Sequence, residues 1–141
     1  MSDDNETVLQ VLRGFFAAMR GWETRSFRRD RDQVERGSLD PDEANRLCDA
    51  ELCEIFDRYC LRFGEPYRTG TFAIPSEYDP EGEKILRMEV GGRAAVVYTH
   101  QTTSPPFEKL VYLLREVDGQ WRILDFRMRV LDDGGLTPWY L

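Results

Sequence analysis

The sequence has few of the residues that build metal and nucleophile sites. It contains one histidine, His100, and three cysteines, none of which form the CxxC pattern of zinc sites. Because a metal site needs several converging ligands, we expect no zinc, and no motif points to another cofactor. Cys48, Cys53 and Cys60 all fall in one predicted helix, where a disulfide would distort the helix. We expect them to be reduced, small apolar side chains in a reducing compartment.

Long apolar runs are also missing. Uncharged apolar runs such as Ala94–Tyr98 are far too short to cross a bilayer, which takes about 20 residues. The first six residues are acidic and polar, without the basic start and apolar stretch of a secretory signal. We therefore expect a cytoplasmic protein that makes no contact with membranes.

Positive charge is in the minority. The 141 residues, predicted to form one domain over 1–141, include 26 acidic and 19 basic side chains, for a net charge of −7. This balance disfavours binding to nucleic-acid phosphates, and no phosphate-cradling glycine motif is present. It is compatible with a basic protein partner, because opposite charge speeds encounter, and equally with solubility alone.

Two amphipathic helices are predicted in the first half of the chain. The first spans about residues 5–36 and has apolar side chains at alternating steps of four and three residues. The second spans about residues 41–63, with Asp40 as its N-cap, Pro41 at the first helical position and Gly64 after its end. The apolar stripe of the first helix consists of Val8, Leu12, Phe15, Met19 and Trp22.

The second half is predicted to form an antiparallel strand meander. Gly91-Gly92 and Asp118-Gly119 are read as two-residue hairpin turns. Leu86, Met88 and Val90 alternate with charged residues and are expected on one face of their strand. The last ten residues are predicted to be a loop. The predicted strands cover about residues 70–74, 84–90, 93–102, 108–117 and 120–131.

Helices followed by a strand meander predict an α+β fold. The sheet has to bury one face, and the helices are the elements available to cover it. We expect a curved antiparallel sheet wrapped on the N-terminal helices, which together form a cone.

Two side chains in the strands are candidates for acid–base chemistry. His100 is expected to face the same way as Val96 and Tyr98, either as a pocket acid or base or as a histidine satisfied by its neighbours. Asp125 lies inside the last strand, on the face of Trp121, Ile123 and Arg127. A carboxylate directed into a cone can have a raised pKa and shuttle protons, whereas an ion pair with Arg127 would make it structural.

The layout resembles the nuclear-transport-factor-2-like superfamily, the cystatin-like cone fold that ketosteroid isomerases share. The final hairpin, Asp118–Ile123, is similar to the last turn and strand of that superfamily. Four further segments are distinctive: Phe15-Phe16 followed by Met19–Glu23; Glu54–Cys60 with Pro66-Tyr67; Pro75–Leu86; and Tyr98–Thr102 with the strand through Tyr112. In these segments the sequence resembles the bacterial immunity proteins of this fold, which are encoded beside polymorphic toxins. The sequence departs from that group at His100, where glutamine is expected, and around Leu124–Arg127.

The resemblance implies an immunity protein that binds and neutralises a cognate toxin domain and catalyses no reaction. The motif residues have a second interpretation as parts of the fold, with Trp22 in the core and the loop of Glu77 to Pro80 as a turn. The candidates for pocket or partner contacts are Trp22, Glu23, Tyr59, Tyr67, Tyr78, Tyr98, His100, Asp125 and Arg127.

Two alternatives remain open at this stage. One is a small enzyme of the ketosteroid-isomerase or polyketide-cyclase kind that pairs Asp125 with Tyr98 or His100. The other is a dimeric ligand-binding scaffold that associates through the outer face of the sheet. The apolar candidates on that face are Val97, Val111 and Leu113.

Overall fold

Two helices precede six strands in the computed structural model, which describes residues 2–36, 41–61, 78, 80–102 and 107–140. Neither helix in this part of the chain is long and apolar enough to cross a membrane. The helices are α1 (Ser2–Arg36) and α2 (Pro41–Tyr59), and the strands are β1 (Cys60–Leu61), β2 (Glu83–Gly91), β3 (Ala94–Gln101), β4 (Lys109–Val117), β5 (Gln120–Val130) and β6 (Leu136–Tyr140).

The six strands form one mixed sheet in the order β1-β5-β4-β3-β2, and β6 also pairs with β5. Strands β2 to β5 make the predicted antiparallel meander. The short β1 runs parallel to β5, with Cys60 opposite Ile123, and β6 runs antiparallel to the later part of β5, with Leu136 opposite Val130. One edge of β5 therefore has two partners in succession.

Two irregularities interrupt the strand pairing and are consistent with the curvature of the sheet. The β2–β3 register shifts between Ile85 and Arg87, and the β4–β5 register shifts between Tyr112 and Leu114. Extra residues of this kind bend a strand and increase its local twist. The α+β cone predicted from the sequence is confirmed.

The core lies between the helices and one face of the sheet, which we call the inner face. All five residues of the predicted α1 stripe are buried. Alternate strand residues such as Val97, Tyr112, Leu114 and Ile123 are also buried and belong to the same cluster. The opposite side of the sheet is called the outer face.

Polar contacts also join the two helices, one within the core and two at its margin. The Trp22 indole Nε1 donates to the Cys48 carbonyl oxygen at 2.8 Å. The Glu51 carboxylate accepts from Arg29 Nη2 at 2.6 Å and from Arg25 Nε at 3.2 Å. Burial alone would raise the pKa of Glu51, but these two arginines outweigh that effect and lower the pKa below its ordinary value. The ion pairs of Glu51 with Arg25 and Arg29 therefore stabilise the folded protein at neutral pH. This stabilisation is lost as the pH falls through the lowered pKa of Glu51.

Three predictions about element boundaries were wrong. Helix α2 ends at Tyr59 instead of residue 63, because Arg122 of β5 donates to the carbonyl oxygens of Asp57 and Arg58 and satisfies the last turn. Cys60 consequently lies in a strand and not in the helix of Cys48. Much of the predicted C-terminal loop is strand β6.

Two local details of the meander also differ from the prediction. The first turn consists of Gly92 and Arg93 instead of Gly91-Gly92, since Gly91 still pairs with Ala94. The register shift in β2 separates Leu86 from Met88 and Val90, and Leu86 is 55 % exposed. The turn at Asp118-Gly119 is confirmed, with φ positive at both residues. The predicted strand over 70–74 lies outside the described residues.

The indole hydrogen bond of Trp22 is expected to contribute to the stability of the helix pair. We predict that Trp22→Phe lowers the free energy of unfolding by about 2 kcal/mol, because it removes a buried hydrogen bond and part of a packed ring. Denaturant unfolding followed by circular dichroism measures this change. As a control, Leu47→Ala alters an exposed apolar residue of α2 and is expected to cost less than about 0.5 kcal/mol. Equal losses for both variants would contradict the prediction.

Candidate functional site

Five polar side chains from four neighbouring strands meet on the inner face. They are held together by strand register, since Glu83 lies opposite Gln101 and Tyr112 lies opposite Arg127. Every one of them is buried, and Arg127 and Tyr112 have no exposed surface. We call this set the inner polar cluster: Glu83, Thr99, Gln101, Tyr112 and Arg127.

Hydrogen bonds and ring contacts order the inner polar cluster. Thr99 Oγ1 donates to Glu83 Oε2 at 2.7 Å, and Arg127 Nη1 donates to the Tyr112 hydroxyl oxygen at 2.7 Å. The Arg127 guanidinium also lies 5.0 Å from the ring centre of Tyr78 and 5.6 Å from that of Tyr112. The arginine is therefore held between two aromatic rings as well as by a hydrogen bond.

The electrostatics of the inner polar cluster follow from its burial. Removal from water raises the pKa of Glu83, although the nearby charge of Arg127 and the hydrogen bond from Thr99 oppose the shift. Burial likewise raises the pKa of Tyr112 well above its ordinary value, against the lowering effect of Arg127. Among the described residues, no hydrogen-bond partner reaches Glu83 Oε1. The site thus contains a carboxyl group with an increased tendency to hold its proton.

Aromatic side chains close this cluster from the helix side. The ring of Tyr78 lies 5.6 Å from that of Phe15 and 6.1 Å from that of Phe16, measured between ring centres. Phe16 also packs on Tyr112 at 5.2 Å. Because only 4 % of Glu83 is exposed, a substrate has almost no surface of this carboxyl group to contact in the observed conformation.

Most of the predicted site residues on the helices belong to the core. Trp22 and Glu23 are fully buried, and so is Tyr78, which lies before β2 and outside both helices. Tyr59 is half-buried, with its ring centre 6.1 Å from that of Phe15 and the Arg58 guanidinium 5.3 Å from it. The interpretation of Trp22 as a core residue is confirmed. Tyr67 lies outside the described residues.

The predicted strand residues separate onto the two faces of the sheet. Tyr98 and His100 lie with Val96 on the outer face, as their alternation with the buried Val97, Thr99 and Gln101 shows. They therefore lie on the opposite side of the sheet from Arg127. Asp125 falls within the irregular part of β5, and its side chain is outside what the structure describes. Among the predicted residues whose side chains the structure describes, only Tyr78 and Arg127 are brought into contact at the inner polar cluster.

Glu83 is the buried carboxyl group that sequence reasoning missed. The predicted strand began at about residue 84, so Glu83 was not included in it. Glu83 lies two residues before Ile85, which packs against the core, and this spacing could have indicated that both side chains share the inner face. Tyr112 was equally recognisable, because it alternates in phase with Leu110 and Leu114, and all three are buried.

A second feature is an open groove on the outer face, which we call the outer groove. Its volume is about 500 Å³. Leu86 and Arg87, at the register shift of β2, line one side of the groove. Leu136 of β6, a strand that was not predicted from the sequence, lines the other side. Its outer-face lining includes Leu86, Arg87, Tyr98, Lys109, Val130 and Leu136.

Two N-terminal helices packed on one face of a curved sheet are the architecture of the nuclear-transport-factor-2-like class. Within that class, the family model described as NTF2 fold immunity protein matches residues 7–137. The chain belongs to this family, as its resemblance predicted. Comparisons with curated proteins and with solved structures gave no match.

The raised pKa of Glu83 predicts a specific dependence of stability on pH. In the folded protein, the Glu83 carboxyl group keeps its proton at pH values above its ordinary pKa of 4.5. The stabilisation that comes from this proton is complete below pH 4.5 and is lost as the pH rises through the raised pKa of Glu83. Glu83→Gln mimics the neutral acid and keeps an acceptor for Thr99. We predict that the unfolding free energy of the variant, relative to the wild type, increases as the pH rises above about 4.5.

Denaturant titrations at several pH values measure this difference. Glu89→Gln serves as the control, because Glu89 lies on the same strand with its side chain 59 % exposed. A pH-independent difference for Glu83→Gln, or an equal change for both variants, would contradict a shifted Glu83.

Proposed function

We propose that this protein binds a cognate toxin domain and neutralises it, without catalysing a reaction. The observation that carries the proposal is the match of the immunity-protein family over residues 7–137. This match covers both helices and nearly the whole sheet, so the similarity extends over the architecture and not over a single motif.

The inner polar cluster supports a binding role over an enzymatic one. Its carboxyl group is buried and hydrogen-bonded to Thr99, and Arg127 donates to the Tyr112 hydroxyl oxygen. The two outer-face candidates, Tyr98 and His100, cannot act together with this buried group across the sheet. We therefore assign the inner polar cluster to the stability and shape of the scaffold.

The proposal includes the setting in which neutralisation occurs. The three cysteines are free thiols, which is compatible with the reducing cytoplasm predicted from the sequence. A net charge of −7 favours a toxin domain of net positive charge, because long-range attraction increases the rate of encounter. We expect neither nucleic acid nor a membrane as a direct partner.

Co-expression with the toxin domain encoded beside this gene tests the proposal. We predict that the wild-type protein restores growth to cells that express the toxin domain. Purified proteins are expected to form a stable complex with a Kd of about 10 nM or tighter, since toxin neutralisation at cellular concentrations requires a long-lived complex. Size-exclusion chromatography and calorimetry measure complex formation.

A toxin domain from an unrelated system serves as the specificity control and is expected to remain toxic and unbound. Failure of the wild-type protein to rescue growth, together with no complex at micromolar concentrations, would reject the proposed function.

A further inference from the structure

The outer face of the sheet carries an apolar band across its centre. Residues that pair directly across strands share a face, so the register defines the rows of this surface. One row contains Met128, Val111 and Tyr98, and the next contains Leu113 and Val96. Four of these five side chains are half-buried and Val111 is buried, so much of the band is covered by its own neighbours.

Cationic residues flank the apolar band. Arg115 lies on one side of it, opposite Arg122, whose guanidinium is engaged with the carbonyl oxygens at the end of α2. Lys84 and Lys109 lie on either side of His100 on the other side. In the described residues of these four strands, the one outer-face carboxylate is Glu89, whose oxygen lies 3.5 Å from Arg87 Nε. On the outer face of these four strands, the described cations therefore outnumber the carboxylates, while Glu108 and Asp132 lie beside Lys109 and Val130 at the margin of the groove.

The outer groove crosses this surface beside the basic side chains. Leu86 is 55 % exposed and Leu136 is 52 % exposed, so both walls of the groove present aliphatic surface to solvent. Exposed apolar surface around a groove of about 500 Å³ is typical of a binding site and not of an ordinary sheet face.

Arg87 is already positioned for binding at the edge of the outer groove. Its guanidinium lies 4.2 Å from the centre of the Tyr98 ring, although 61 % of its side chain is exposed. A cation stacked on an aromatic ring loses less conformational freedom when a carboxylate binds to it. Lys109 lies exposed in the same groove and supplies a second cation.

We propose that the outer groove holds the toxin by taking up one apolar side chain from a toxin segment that carries carboxylates on both sides of that residue. The carboxylates lie against Arg87 and Lys109, and the apolar side chain lies between Leu86 and Leu136. This inference rests on the proposed function and assigns its binding surface. A toxin of net positive charge can present such an acidic segment locally.

Charge distribution argues for this partner over a second copy of the chain. A symmetric dimer would place the same surface on both sides of the interface. The basic rows of the two copies would then face each other or lie close together, and like charges oppose that association. An acidic segment meets the same surface with complementary charge.

Paired substitutions in the outer groove test the assignment. Leu136→Asp removes aliphatic surface and adds repulsion for carboxylates, and Lys109→Glu reverses one cation. We expect the Kd for the toxin domain to rise about 30-fold or more for Leu136→Asp and about 10-fold for Lys109→Glu. The matched controls are Leu47→Asp and Arg46→Glu on α2, which make the same chemical changes at exposed positions. Both controls are expected to leave the Kd within about 3-fold of the wild type.

Circular dichroism and melting temperatures establish that all four variants are folded before binding is compared. Wild-type affinity in both groove variants, or weakening by the α2 controls alone, would overturn the assignment while leaving the proposed function intact. Failure of the wild-type protein to bind the toxin would reject both.

Two further outcomes would overturn the inference by assigning the groove to another occupant. One is a wild-type dimer, measured by light scattering, that Leu136→Asp converts to a monomer. The other is micromolar binding of a single-stranded 20-nucleotide DNA that Lys109→Glu abolishes.

Discussion

The interior of this protein is organised around the buried guanidinium of Arg127. Moving such an ion out of water costs several kcal/mol unless its surroundings compensate for the lost hydration. Here the compensation comes from the Tyr112 hydroxyl, the rings of Tyr78 and Tyr112, and the nearby Glu83 carboxyl group. These groups come from β2, from β4 and from the segment before β2, whereas Arg127 lies in β5, so the arginine is satisfied only when the meander is in its native register.

Under the proposed function, recognition is assigned to the outer face of the sheet. Alternation along β3 sends Thr99 and Gln101 inward to the polar cluster and sends Tyr98 and His100 outward. The inner face thus carries the core and the polar cluster, whereas the outer face combines apolar and cationic side chains that are not part of this core. This separation explains how a chain with a net charge of −7 can carry a cluster of cations on one face of its sheet.

Regular periodicity made the helices and the long strands predictable. The α1 stripe follows the helical repeat, and the meander follows from alternation and from the turn at Asp118-Gly119. The two-residue β1 is too short to have a period, and Pro138 argues against a strand at the C-terminus. Proline is tolerated in β6 because that strand has an edge position, where a missing amide donor costs little.

Simple alternation along a strand assigned two side chains to the wrong face. The register shift in β2 exposes Leu86, and Val97, which was expected on the outer face, is buried on the inner face. The outer groove was unpredictable for these reasons, since its two walls depend on that shift and on β6.

Hydrogen–deuterium exchange with and without the toxin domain tests most directly whether the sheet face is the binding surface. Strands β2 and β6 border the outer groove, and α2 lies on the other side of the sheet. The account predicts slower exchange in β2 and β6 when the toxin is bound, with α2 unchanged. Slower exchange confined to α1 and α2 would contradict it.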